Sequence, residues 1–182
     1  VGKDFYGRII QDLRVSGGYR VIEPGHPVVQ QTARLYVFTY DWRQDIVKTV
    51  QKLDELIEQI RRDYNDPALR VDVIEHSMGG LVVRYYERYG TVDVLGGNTF
   101  TVTGLGLSKL RRIVLLGTPN QGTVTAVHKF LNGYRVGVSA LPTEGVATMP
   151  STYELFPHPL VDWVVNLQGK PLNFDLFDVE FD

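Results

Sequence analysis

A serine attacks an acyl carbon only where a base can reach its proton and hydrogen-bond donors wait for the oxyanion. Ser77 stands in such a setting, within Val71-Asp-Val-Ile-Glu-His-Ser-Met-Gly-Gly-Leu-Val-Val-Arg-Tyr85. Four residues of strand character, Val71 to Ile74, run into the serine, and a helix-forming run follows at once. A strand that turns sharply into a helix with serine at its apex is a nucleophile elbow, and it holds the hydroxyl above the end of a sheet. Gly79 and Gly80 keep side chains out of the crowded inner side of that turn. The Met78 N–H, in the first turn of the helix, is then a candidate oxyanion donor. The plainer alternative makes Ser77 an N-cap for a helix from Met78 to about Tyr89. One position departs from the pattern. Two residues before the serine, where a glycine or small residue is usual, stands Glu75, whose long side chain is expected to point away from the helix or to pair with a neighbour.

Candidates for a base are few. The chain has four histidines. His76 adjoins the serine, but neighbours on a strand point to opposite sides, so it should not reach the hydroxyl. His26 precedes the elbow and adjoins Pro27, and His128 falls in a short helical run. His158 lies between two prolines and would meet Ser77 only if the tail folds back over the sheet edge. With Asp162 as its orienter it makes the one in-chain base and acid pair, and a triad is defined by geometry rather than chain order. Trp42, His76 and Thr118 are candidate substrate-lining residues, with a core role as the alternative for Trp42. Asp41 and Arg43 are expected to form structural hydrogen bonds near the sheet edge.

The elements that must position these residues read clearly in the first two thirds of the chain. Asp4 to Val15 has Phe5, Ile9 and Leu13 on one helical face and stops at Gly17-Gly18. Arg34 to Tyr40 reads as a strand covered on both faces. Asp45 to Tyr64 is the clearest helix, with Ile46, Val50, Leu53, Ile57, Ile60 and Tyr64 in one stripe and Asp54, Glu58, Arg61 and Arg62 off it. After the elbow helix, residues 90 to 106 suggest a hairpin or an irregular excursion. Ile113 to Leu116 is an apolar strand that ends at Gly117-Thr-Pro-Asn-Gln-Gly122. Strand, helix, strand, helix, strand at this spacing predicts an α/β fold with a mostly parallel sheet and crossover helices. The elbow and the Gly117 loop then share the carboxyl edge, where function gathers in open α/β sheets.

The whole chain reads as one domain in three parts. Residues 1–122 form the sheet core. Residues 123–157 are lid-like, with short helices at Val124 to Leu131 and Met149 to Phe156. Apolar residues on short pieces beside a catalytic edge suit a lid over a greasy substrate, and a surface loop packed on the core is the alternative. Residues 158–182 are a tail without a further strand–loop–helix unit.

Bulk properties narrow the class. A chain of 182 residues, 43% hydrophobic and 22% charged, suits one soluble globular domain with a sizeable core. A net charge of −2 makes no electrostatic case for nucleic acid or an anionic membrane. The absence of cysteine removes disulfides, thiolate metal sites and cysteine catalysis, and no metal or cofactor is expected. No apolar run is long enough for a transmembrane segment, and no signal-peptide layout is present. No phosphate-cradling glycine loop follows the first strand, against a nucleotide-binding domain. Compartment and oligomeric state are not legible.

Four segments taken together resemble a known family: Phe38-Thr-Tyr-Asp-Trp-Arg43, His76-Ser-Met-Gly-Gly-Leu-Val-Val-Arg84, Leu116-Gly-Thr-Pro-Asn-Gln-Gly122 and Met149-Pro-Ser-Thr-Tyr-Glu-Leu-Phe-Pro157. They are similar to the lecithin:cholesterol acyltransferase-like branch of the α/β-hydrolase superfamily. The resemblance implies a lipid or other apolar ester as substrate, transient contact with a lipid surface, and acyl transfer to water or an alcohol without a cofactor. It makes Ser77 the nucleophile and Met78 an oxyanion donor. It also implies an acid and a histidine on loops after later strands. Only 105 residues follow Ser77 (182 minus 77), with one evident sheet strand among them. A central fragment of a longer hydrolase is therefore expected, with its first strands and its acid- and base-bearing strands elsewhere. A catalytically incomplete module that binds lipid or a partner protein is the competing expectation.

Overall fold

The computed structural model describes residues 6–28, 33–94, 96–97, 100–136, 139–172 and 174–178. Along the chain run α1 (Gly7–Val15), β1 (Arg20–Val21), β2 (Arg34–Leu35), α2 (Ile46–Asp63), β3 (Val71–His76) and α3 (Gly79–Tyr89). A 3-10 turn (Gly106–Lys109) leads into β4 (Leu110–Leu116), followed by α4 (Val124–Asn132), β5 (Tyr134–Val136), β6 (Ser139–Leu141), α5 (Thr143–Ala147) and α6 (Pro150–Glu154). Asp4 and Phe5, the predicted start of the first helix, lie outside the described residues.

The fold is mixed α/β with parallel strands and no barrel. β1 pairs with β2 in parallel, β3 pairs with β4 in parallel, and β5 with β6 makes an antiparallel hairpin. The strand expected over Arg34 to Tyr40 is shorter than its sequence suggested. Only Arg34 and Leu35 join a ladder among the described residues. Beyond them the chain is held by side chains instead, because Phe38 and Tyr40 stack on each other and pack against the main core.

Local chemistry explains the elements around the site. The Asp45 carboxylate accepts the Val47 N–H at 2.7 Å and caps α2. The predicted stripe then buries Ile46, Val50, Leu53, Ile57 and Ile60. α3 answers with Val82, Val83 and Tyr86, and Leu110 closes the cluster at the start of β4. β3 alternates, so that Val71, Val73 and Glu75 turn inward while Asp72, Ile74 and His76 are exposed. A charged network fastens the layer. The Tyr86 hydroxyl donates to Asp54 on α2, and the Lys109 ammonium bridges Asp54 and Glu58.

The 123–157 region is packed, not splayed. Ala126, Val127 and Phe156 form a second buried cluster, with Phe130, Leu155, Trp163 and Leu176 packed against it. Pro150 starts α6 at its first turn, where a missing N–H costs nothing. Residues 91–94, 96–97 and 100–105 form no strand, so the irregular reading of that stretch describes them, not the hairpin.

Candidate functional site

The strand β3 ends at His76, and α3 begins three residues later at Gly79. Between them Ser77 adopts φ +55°. The other described non-glycine residue with positive φ is Asn65, just beyond the end of α2, where asparagine is a common left-handed cap. Serine has no such affinity for that region. Backbone held in a sparsely populated region costs on the order of 1–3 kcal/mol and persists only where its surroundings over-determine it.

Three contacts do so here. The Ser77 N–H donates to the Leu116 carbonyl at 2.9 Å, which extends the β3–β4 ladder by one bond. The Ser77 carbonyl accepts the Gly80 N–H at 3.2 Å and starts the helix. Gly80 lies against Thr118, whose Oγ1 and Cγ2 occupy the space that a Cβ would need. The first turn of α3 therefore sits flush on the loop that follows β4. Arg84 on α3 reinforces the joint by donating to the Asn120 side chain of the same loop.

Ser77 is exposed, and its hydroxyl makes no cap hydrogen bond; Met78 occupies the N-cap position of α3. The plain N-cap alternative thus has no bond behind it. The Met78 side chain is buried, and its N–H has no hydrogen-bond acceptor among the described residues. A hydroxyl at the apex of a tight bend beside an unsatisfied N–H is an arrangement suited to acyl transfer.

Glu75 neither points away from the helix nor pairs with a neighbour among the described residues, the two outcomes expected of its length. Its Oε2 fills the space that a Cβ on Gly79 would occupy, at the foot of α3, and the Tyr40 hydroxyl flanks the same spot, 3.7 Å from it. Glycine at position 79 thus makes the room that a small residue at position 75 would have made unnecessary. Burial alone pushes the Glu75 carboxyl up to about 7. Burial, followed by the Glu75 and Tyr6 charges, pushes Tyr40 up to about 12.

The other candidates spread around this turn. Thr118 is in contact with it, with its Oγ1 buried and without a partner among the described residues. His76 is exposed, and its Nδ1 lies 3.1 Å from the Tyr6 hydroxyl. Trp42 is 44% exposed and meets the Tyr134 ring edge-on at 5.9 Å. Asp41 and Arg43 are joined by two side-chain hydrogen bonds of 2.7 Å. Those bonds hold the Asp41 carboxyl down at about 2. His158 is exposed, and its Nδ1 accepts the Leu160 N–H at 3.2 Å. Asp162 is exposed too, and neither residue hydrogen-bonds Ser77 or the other. Among the described residues no histidine hydrogen-bonds the Ser77 hydroxyl, and no group of acidic or histidine side chains could hold a metal ion. No described helix is long and apolar enough to cross a membrane.

Sequence reasoning missed how the first and last family-like segments are used. Glu154 of α6 reaches back 108 residues to accept the Ile46 N–H at 2.9 Å, at the start of α2. Its other oxygen and the nearby fully buried Ser151 hydroxyl have no partner among the described residues. Next to this joint, Asp41, Arg43, Thr148 and Met149 line one cleft. The Tyr-Asp-Trp-Arg segment and the Met-Pro-Ser-Thr-Tyr-Glu segment are thus two sides of one junction. The proline of the second segment hinted at a helix start there, and nothing in either segment hinted at the contact between them.

Comparison with curated proteins and with solved structures returned no significant match. The family model described as lecithin:cholesterol acyltransferase matches residues 29–169. That span holds the elbow, the loop after β4, the second cluster and both sides of the junction. The chain belongs to this α/β-hydrolase family of lipases and acyltransferases, and with it comes a general serine-hydrolase or acyltransferase function.

Proposed function

We propose that Ser77 is the nucleophile of an acyl hydrolase or O-acyltransferase that takes lipid or other apolar esters. Its Oγ attacks the ester carbonyl as its proton leaves to a histidine. The bond from the acyl carbon to the alcohol oxygen breaks, and the alcohol departs with a proton. Water or a second alcohol then takes the acyl group from Ser77. The Met78 N–H meets the oxyanion at each tetrahedral stage. The sum balances without a cofactor. Thr118, His76 and Trp42 flank the substrate, and exposed Val124, Leu131 and Tyr153 touch a lipid surface transiently.

One observation carries this reading: the positive φ of an exposed serine between a parallel strand and a helix. A cap or a surface turn has no use for that strain. The intact polypeptide should label with a fluorophosphonate probe, and Ser77→Ala should abolish the label. Labelling that survives the substitution rejects the proposal.

A second reading rests on the hydroxyl having no histidine bonded to it. In it the chain is a scaffold that binds lipid or a partner protein through residues 123–157. Ester turnover by this polypeptide, lost in Ser77→Ala, excludes it.

A further inference from the structure

Glu75 occupies the place where the elbow pattern calls for a small residue, and its carboxyl lies at the foot of the catalytic turn. We propose that Glu75 is a positioning residue for Ser77: as the neutral acid it fills the slot beneath Gly79 and holds the elbow closed, and as the carboxylate it opens the elbow. The inference rests on the reading of Ser77 as nucleophile.

The geometry limits what the carboxyl can do. Its strand places it inward, with Leu115 beside it in the β4 ladder. Gly79 of α3 packs directly against its Oε2, and the Tyr40 hydroxyl comes from the segment ahead of α2. Tyr6 is close enough to Tyr40 to add to its rise. No cation faces it from any of these elements, and no salt bridge or hydrogen bond reaches it among the described residues. A neutral acid fits such a slot as an uncharged filler. A carboxylate there has no counter-ion and must draw in water or swing out, since an unpaired buried charge is far costlier than a polar group. Either movement passes through Gly79, two residues from the nucleophile, and disturbs the Met78 N–H. Burial, which pushes this carboxyl up to about 7, puts the change near neutrality.

The consequence runs against the usual direction. A serine nucleophile that relies on histidine gains reactivity as pH rises through the imidazole range. Here Glu75 imposes a loss at higher pH, so the profile becomes a bell whose alkaline limb belongs to this carboxyl.

The test compares wild type, Glu75→Gln, Glu75→Gly and Ser77→Ala between about pH 5 and pH 9. The first readout is the rate of fluorophosphonate labelling. Glu75→Gln keeps the shape of the acid and cannot ionise, so its rate should hold at high pH while the wild-type rate falls about tenfold relative to it. The second readout is the backbone amide spectrum of Met78, Gly79 and Gly80, which needs no activity. These amides should titrate near pH 7 in wild type and stay still in Glu75→Gln. Superimposable amide titrations in the two proteins overturn the inference. So does an alkaline limb that Glu75→Gln retains. Absence of labelling in every variant, with the amide difference present, defeats the nucleophile reading and leaves Glu75 as the hinge of the turn. Glu75→Gly, which removes the filler, should abolish the titration and lower the labelling rate at all pH values, whereas an unchanged rate at low pH would show that the filler is not needed.

Discussion

Ile57 and Phe156 anchor two clusters that stabilise the chain by different means. Ile57 is 1% exposed and lies in one long stripe that meets α3 and the β3–β4 pair. Phe156 is 8% exposed and is held by ring contacts with Phe130, Tyr153 and Phe177 at 5.4 to 6.4 Å. The first cluster uses continuous elements of eleven and eighteen residues. The second uses helices of five and nine residues and a tail pinned by the Trp163 indole N–H on the Phe174 carbonyl. Short elements with fewer buried contacts are expected to open before long ones. The Ser77 turn packs on the loop after β4, whose Gly122 lies against Phe156 of the second cluster.

The largest expected effects break the two clusters separately. Ile57→Ala should cost about 4 kcal/mol of global stability in urea denaturation, since its site is enclosed and cannot collapse. Phe156→Ala should cost about 3 kcal/mol, the low end for a phenylalanine, because short surface elements can close over the gap. Hydrogen exchange should separate them further. Phe156→Ala should speed exchange across α4 to α6 while α2 amides keep their protection. Equal acceleration in both regions would mean that the two clusters unfold as one unit.

Gly80→Ala sharpens the comparison at the seam. The new Cβ overlaps Thr118, so overpacking should cost about 2 kcal/mol and displace the loop after β4. Thr118→Gly in the same protein should return part of that loss, as expected when two side chains contest one space. Additive losses would show that the close approach is not what the glycine serves.

A pH-dependent effect should appear at the joint between the clusters. Burial pushes Glu154 up to about 7 against the opposing Ile46 N–H, with Asp45 adding to the rise. An acid whose folded pKa is raised binds its proton more tightly in the native state. Its contribution is complete below the unfolded carboxylate value and is lost as pH rises through the folded one. The urea midpoint should therefore fall between about pH 5 and pH 8, and Glu154→Gln should flatten that fall. Glu75 contributes in the same direction. A midpoint that rises over this range in wild type would contradict the burial of both carboxyls.

The parts of this arrangement that were legible are those that local chemistry specifies. The α2 stripe repeats through more than four turns, so its buried face was readable, while Asp45 was read only as the start of the helix and not as its cap. The elbow was readable because serine between strand and paired glycines has few other uses. Residues 36–40 were not, because packing of Phe38 and Tyr40, rather than a ladder, holds them. The β5–β6 hairpin and α5 have no period to detect at three to five residues. The direction of Glu75 was misread because it depends on an empty Cβ position four residues away, which only the strand-to-helix geometry brings beneath it.

The smallest effect belongs to the Asp41–Arg43 pair, which lines the junction yet should not hold it. The Arg43 side chain is exposed and binds a carboxylate two residues away, so breaking the pair frees no element from another. Its charge is screened by salt and costs side-chain entropy to hold. Arg43→Ala should leave the urea midpoint unchanged near neutral pH, while Glu154→Ala, at the joint beside the cleft, should lower it. The contrast follows from what each group joins: Glu154 ties α6 to the first turn of α2, whereas Arg43 ties a loop to itself. A drop for Arg43→Ala as large as that for Gly80→Ala would mean that the guanidinium bridges the two clusters, and the junction would then rest on the Tyr-Asp-Trp-Arg segment rather than on α6.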